Sequence, residues 1–518
     1  MIRAHRVRRE DGSHGVDEVA REHIRSTGGL MVAIKAIHDW TGAPGTLVSW
    51  NPSATSLAKM QDAPISPVPV SYQQEQHIRG YRKHLSQGTD MARLNIPAWD
   101  MPGQCDLRAM THVINAYIRR HDTYHSRFEF TEAGEVVRRT IRNPRDIKFV
   151  PTQHGEMTAD QWRRHVLLTP DPLQWNCFGF GIIQRADHFT FYISVDHVHT
   201  DAMFMGLVLV EIHMMYATLV GGGAPLKLPD AGSYDDYCLR QREYTDSLTL
   251  ESPEVQDWVR FAKSNGGTLP HFPLPLGDPA EPCSGELLTV RLLDKHQGER
   301  FEAACNAADA RFIGGVFACA ALTDHEFTGD SDYHIITPTT TRRTPEEFMT
   351  TGWFTGLVPV TVSVDRNSFG DTARSAQKSF DSGLDLAHVP FERVLELAES
   401  VGVRPADPGV PMVSYLDAGL PPLSPSVIAQ WEGMNGKVYS DARAAFQVGM
   451  WVNRTERETT VTVAFPDNPI ARESITRYLQ VMMSWYLRVA DGGAAGPLAG
   501  RHGAAVRRRD ELVPVVGG

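Results

Sequence analysis

The sequence predicts an α/β protein of two lobes, on three observations. Its 518 residues are too many for one ordinary hydrophobic core, helical and strand patterns alternate through both halves, and Pro/Gly-rich stretches separate those halves. The breaks are GGGAPLKLPDAGS (221–233) and PHFPLPLGDPAEP (270–282), and no internal repeat suggests a solenoid or propeller. They set an N-terminal lobe at 31–220, a linker and crossover segment at 221–282 and a C-terminal lobe at 283–490. Residues 1–30 mix charges of both signs without an apolar run and read as a disordered extension, with Met31 an alternative start. Residues 491–518, rich in Gly, Ala and Arg, read as a disordered tail.

Each element has a local reason. Ser71 opens a helix through SYQQEQHIRGYRKHL, with Gln74 three residues on in the manner of a capping box. Asp106 opens another, DLRAMTHVINAYIRRH, whose Leu107, Met110, Val113, Ile114 and Tyr117 share one side. The clearest strand signal is HFTFYISVDHVH (188–199), where Phe189, Phe191, Ile193 and Val195 alternate with Thr190, Tyr192 and Ser194. Period two carried onward puts His197 on the apolar face and Asp196 on the other. Met203 to Val220 has the length of a membrane span, but Glu211 and His213 within it favour a buried helix, which Asp201 is placed to cap.

Composition narrows the function classes. A net charge of -11 offers no electrostatic footprint for nucleic acid. Six cysteines without a C-x-x-C pair argue against a zinc ribbon or a disulfide scaffold and fit a reducing cytoplasm. Neither a G-x-S-x-G elbow nor a phosphate-binding P-loop is present.

Chemistry concentrates in SVDHVHTDAMFMG (194–206), a strand-to-helix corner. An imidazole held there at the end of an apolar face stays neutral near pH 7 and can take a hydroxyl proton, because desolvation disfavours imidazolium. Such general-base catalysis is worth about 10²- to 10⁴-fold in rate. A rival reading takes His197, His199 and Asp201 as an H-x-H-x-D chelate on one face of an extended strand, which would make the protein a metal hydrolase. Against it, Ala202 stands where a further ligand is wanted and no second ligand cluster is evident.

Six segments together resemble core motifs of the condensation-domain superfamily, in that family's order. VSYQQEQHIRGY (70–81) is similar to the first motif and RHDTYHSRFEF (120–130) to R-H-E-x-L-R-T-x-F. DHVHTDA (196–202) is similar to H-H-x-x-x-D-G, and SYDDYCLRQ (233–241) to Y-x-D-[FY]. GWFTGLVPV (352–360) is similar to G-x-F-V-N-T-L-P, and HVPFERVLEL (388–397) to [HY]-x-P-F-E. Asp196 replaces the first His, Ala202 the Gly, and Gly356 stands where peptide-forming members have Asn, departures that favour an ester-forming branch. Within that branch 37–74, 115–130 and 351–360 most resemble mycobacterial polyketide-associated acyltransferases that esterify trehalose.

The resemblance implies two chloramphenicol-acetyltransferase-like lobes in a V-shaped pseudo-dimer with a tunnel between them. It implies His197 as general base, and Asp201 in a structural ion pair with Arg342, or with the adjacent Arg343. Trp353, Gly352 and Gly356 would lie at the acyl channel or the oxyanion region. For Trp353, Phe354, Leu357 and the Met-rich stretch 204–216, simple core is the favoured reading over channel lining. His199, Tyr124 and His125 read as structural. The implied reaction moves a long-chain acyl group from acyl-CoA, a substrate, or from a polyketide synthase-bound chain onto a hydroxyl of trehalose or a trehalose glycolipid, without cofactor or metal. Implied partners are a polyketide synthase or a lipid transporter, at a cytoplasmic site peripheral to the inner face of the plasma membrane. Three alternatives stay open: a non-catalytic condensation-like binding protein, a condensation enzyme acting with a carrier protein, and the metal hydrolase.

Overall fold

The computed structural model describes residues 34–492 apart from 225, 280, 282, 407–409, 420–423 and 442–447. The extension read at 1–30, Met31, and the tail beyond 492 lie outside the described residues. Strands of the first half are β1 (Ile34–Ala36), β2 (Gly45–Pro52), β3 (Leu94–Pro102), the hairpin β4 (Ser126–Phe130) and β5 (Val136–Thr140), β6 (Phe149–Met157), β7 (Phe178–Gln184) and β8 (His188–Asp196). The second half holds β9 (Gly285–Asp294), β10 (Asp332–Thr340), β11 (Thr355–Ser363), β12 (Pro411–Asp417), β13 (Lys437–Ser440), β14 (Val448–Arg454) and β15 (Glu458–Pro466). One sheet runs β1-β13-β3-β8-β7-β2-β6 and the other β11-β10-β12-β14-β15-β9.

Each sheet backs its own core. In the first, Phe189, Phe191, Ile193 and Val195 of β8 pack with Met110, Val113, Ile114 and Tyr117 of the helix Leu107–Arg120 and with Phe204, Val208 and Ile212. Asp106 caps that helix, its carboxylate accepting from the Arg108 and Ala109 N–H groups. Tyr192 belongs to a separate cluster on the opposite face with Trp40, Trp162 and Tyr439, so the sheet is covered on both sides and the polar Thr190 and Ser194 are buried as well. In the second lobe Val358, Val360, Val413, Met450, Val461 and Val463 pack against Val316, Phe317, Tyr478 and Met482 of the helices Phe312–Thr328 and Pro469–Ala490. Between the lobes' strands, 221–282 contains the helices Tyr234–Asp246 and Pro253–Ser264.

The two cores do not divide at one point in the chain. β13 returns from the second half to pair in parallel with β1 and antiparallel with β3. The preceding helix Pro425–Gly433 brings Trp431 against Trp99, and Tyr439 stacks on Trp40 at 4.8 Å.

The stretch after Asp201 forms one helical run, Phe204–Val208, a π-helical turn Leu209–His213, and Met214–Val220. Glu211 in the π turn is buried, and its charge is met by Arg120 Nε at 3.1 Å and His121 Nε2 at 2.9 Å, without which burial would be costly. Among the described residues no single helix is long and apolar enough to cross a membrane.

Candidate active site

β8 stops at Asp196 for a local reason. The Asp196 carboxylate accepts the Val198 N–H at 3.0 Å and turns His197–His199 into a 3₁₀ helix. The expectation that period two continues through 199 is therefore corrected, and with it the shared face of the H-x-H-x-D reading. His199 points into the core, its Nδ1 3.0 Å from Thr123 Oγ1 and its Nε2 3.3 Å from Cys177 Sγ, and Asp201 turns toward the other lobe. Among the described residues no three His, Cys, Asp or Glu side chains converge as a metal site.

His197 stands where the lobes meet. Its backbone N–H donates to the Arg93 carbonyl at 2.7 Å, and its ring lies 4.2 Å from that of Trp353, which precedes β11 of the second sheet. The residue is partly exposed, but its Nδ1 is buried and has no hydrogen-bond partner among the described residues. Burial first, then the nearby His77, pushes the His197 imidazole down to about 4, against the opposing pull of its own carbonyl, Asp196 and Asp201. The ring is therefore neutral at pH 7.

Two carboxylates brace the corner. Asp196, fully buried, takes His77 Nε2 on one oxygen at 2.7 Å and Arg93 Nη1 on the other at 2.9 Å. Burial pushes its carboxyl up, but His77, Arg93 and the Val198 N–H together overcome this and hold it below the usual carboxylate range. Arg93 donates also to the Pro170 and Thr169 carbonyls and, through its backbone N–H, to Asp441.

Asp201 receives Arg342 from the second lobe, with Nη1 to Oδ2 at 2.5 Å and Nη2 to Oδ1 at 3.3 Å. It also accepts the Phe354 N–H at 3.0 Å and the Met203 N–H at 3.0 Å. Arg342 and not Arg343 makes this contact; the Arg343 N–H donates instead to Glu347. Asp201 thus ties the corner both to the helix that follows and to the segment carrying Trp353.

The glycines near Trp353 are there for close packing. A Cβ at Gly352 would run into the Tyr234 ring, and one at Gly356 into the Ala387 carbonyl oxygen. Phe354 is buried with Tyr234 and Tyr237, and Leu357 packs with the cluster around Trp258, whereas Trp353 alone of the three faces His197. The separate sequence motifs meet around this point. Gln74, set by the capping box at Ser71, donates to the Val198 carbonyl at 3.1 Å, and Tyr234 donates to the Trp353 carbonyl at 3.2 Å. Asp122 accepts Ser233 Oγ and the Tyr234 N–H, and His121 Nδ1 accepts the Thr351 N–H. Tyr124 and His125 are buried packing residues.

The chain matches the Condensation domain family over residues 95–405. It belongs to the condensation-domain family. This condensation-domain protein is 56% identical over 466 residues to the trehalose-2-sulfate acyltransferase PapA2 of Mycobacterium tuberculosis, covering 90% of this chain and 99% of the relative. It is 53% identical over 462 residues to the acyltransferase PapA3 of the same species, covering 89% and 98%. A solved structure titled PapA2 acyl transferase superposes with a TM-score of 0.86 at 56% identity, covering 89% of this chain and 100% of the other. The architecture is accordingly that of condensation domains, with two chloramphenicol-acetyltransferase-like halves.

Reasoning from the sequence passed over His77 and Arg93. His77 lies inside the first motif (70–81), whose match rests on Ser71 and Gln74, and Arg93 lies outside all six segments; the signal that pointed to them was the acidic residue at 196 in place of the family's first His, since a buried carboxylate demands cations nearby. A surface cavity of about 390 Å³ opens beside the same helix, lined by Tyr72, Glu75, Arg79, Lys83, Glu392 and Glu396, and contains neither His197 nor Trp353.

Proposed function

We propose that this protein is an O-acyltransferase that moves a long-chain fatty acyl group from acyl-CoA, or from a polyketide synthase-bound chain, onto a hydroxyl of trehalose or a trehalose glycolipid. The observation that carries the reading is His197: a neutral, partly exposed imidazole held against Trp353 at the junction of the lobes. Support for the acceptor comes from the relative named as a trehalose-2-sulfate acyltransferase.

In this reaction the acceptor hydroxyl gives its proton to His197 while its oxygen attacks the thioester carbonyl. The tetrahedral oxyanion collapses, the C–S bond breaks, and the imidazolium returns its proton to the departing thiolate. No covalent enzyme intermediate and no cofactor take part. Asp201 and Arg342 hold the corner without touching substrate, and Trp353 borders the donor's path. The ester product carries a long chain worth about 0.8 kcal/mol per buried methylene in a bilayer, so the enzyme acts beside the inner face of the plasma membrane and hands its product to a lipid transporter.

The test is incubation with palmitoyl-CoA and a panel of sugars and alcohols, the ester identified by mass spectrometry. Expected is a trehalose ester from the wild type. Thioester consumption without any acceptor-dependent ester would overturn the reading.

A further inference from the structure

The family's paired histidines are not both present at 196 and 197, yet two imidazoles still stand at the site. The carboxylate at 196 holds His77 Nε2 at 2.7 Å, and His77 arrives from the helix Tyr72–Ser86 rather than from the corner. Its ring lies 5.5 Å from Trp353 and 6.2 Å from the His197 ring. Among the described residues the ring makes no hydrogen bond other than the one to Asp196. Asp196 can only accept, so the proton on Nε2 is committed to it and Nδ1 is the nitrogen left for a ligand.

We infer that His77 is a second acceptor-binding residue, which reads a hydroxyl next to the one being acylated and makes the site selective for vicinal diols. The inference rests on the acyltransferase reading and deepens it by naming the acceptor class. Two imidazole rings 6.2 Å apart are bridged by hydroxyls on neighbouring carbons with ordinary hydrogen bonds of about 2.8 Å, one to each ring. One hydroxyl gives up its proton to His197; its neighbour hydrogen-bonds to His77 Nδ1. Asp196 and Arg93 fix the His77 ring, so little order has to be created when the acceptor binds. An acceptor with a single hydroxyl leaves the His77 nitrogen desolvated and unpaired, and this is the kind of mismatch that polar sites reject most strongly.

The experiment compares kcat/KM for trans-cyclohexane-1,2-diol and cyclohexanol, with trehalose as reference acceptor, in wild type, His77→Phe and His77→Asn. Wild type is expected to favour the diol by about tenfold or more. His77→Phe keeps an aromatic ring and removes both nitrogens, so it should lower the diol-to-alcohol ratio about tenfold. His77→Asn, whose amide can still donate to Asp196 and hydrogen-bond a hydroxyl, should restore part of that ratio and guards against a folding defect in the Phe variant. Equal losses for both acceptors in both variants would reduce His77 to a structural partner of Asp196 and overturn the inference alone. No ester from trehalose or either alcohol with the wild type would overturn the acyltransferase reading itself.

Discussion

Asp196 and Asp201 flank His197, both buried and both bonded to an arginine, yet they secure different things. Asp196 is held by Arg93 and His77, on the same lobe as β8, and through the Val198 N–H it ends the strand. Asp201 is held by Arg342 from the other lobe and takes the backbone of Phe354, so it fixes Trp353 opposite His197. One carboxylate shapes the corner and the other joins the lobes over it. Buried ion pairs add little net stability, but breaking one is expensive, so their value here is the geometry they enforce.

The sharpest way to break the contrast is to delete one partner of the bridging pair. Arg342→Met leaves Asp201 charged and buried and is expected to cost about 3–5 kcal/mol in denaturant unfolding, with turnover lost as Trp353 is released. Combining it with Asp201→Leu should cost less than the two single changes added together. Asp196→Asn keeps hydrogen-bonding capacity but removes the charge facing Arg93 and His77; about 2–3 kcal/mol is expected, with the lobes still joined. Gly356→Ala pushes a methyl into the Ala387 carbonyl and should cost about 1–3 kcal/mol, a strain unrelated to either carboxylate.

A separate test lies in the pH dependence. Burial holds both His197 and His199 down to about 4, against an ordinary value near 6.5. Between those two values the unfolded chain binds more protons than the folded one, so stability falls as pH drops through the window and is fully present above it. Each histidine should contribute a slope of about 1 kcal/mol per pH unit, seen in unfolding midpoints between pH 4 and 6.5, and His199→Gln should flatten it. The depressed Asp196 carboxyl acts in the same direction, its stabilisation being lost as pH falls through its folded value.

Local features were legible in the sequence because local forces set them. The capping box at Ser71, the Asp106 cap and the apolar face from Phe189 to Val195 all formed where the pattern placed them. Motif order identified the family and so the two-lobed fold. What could not be read depends on distant residues. Nothing in KVYS announces that β13 will cross back between β1 and β3. His77 and Asp196 meet across 119 positions, and the 3₁₀ turn that ends the strand's alternation arises from one side-chain hydrogen bond.

The most direct measurement is the rate of thiol release from palmitoyl-CoA in the presence of trehalose, for wild type and His197→Asn, in samples whose unfolding midpoints agree. A neutral imidazole serving as base at the lobe junction requires a loss of about 10²- to 10⁴-fold in kcat in the variant. Thiol release and ester formation continuing at the wild-type rate without that ring would contradict the assignment of His197 as the base.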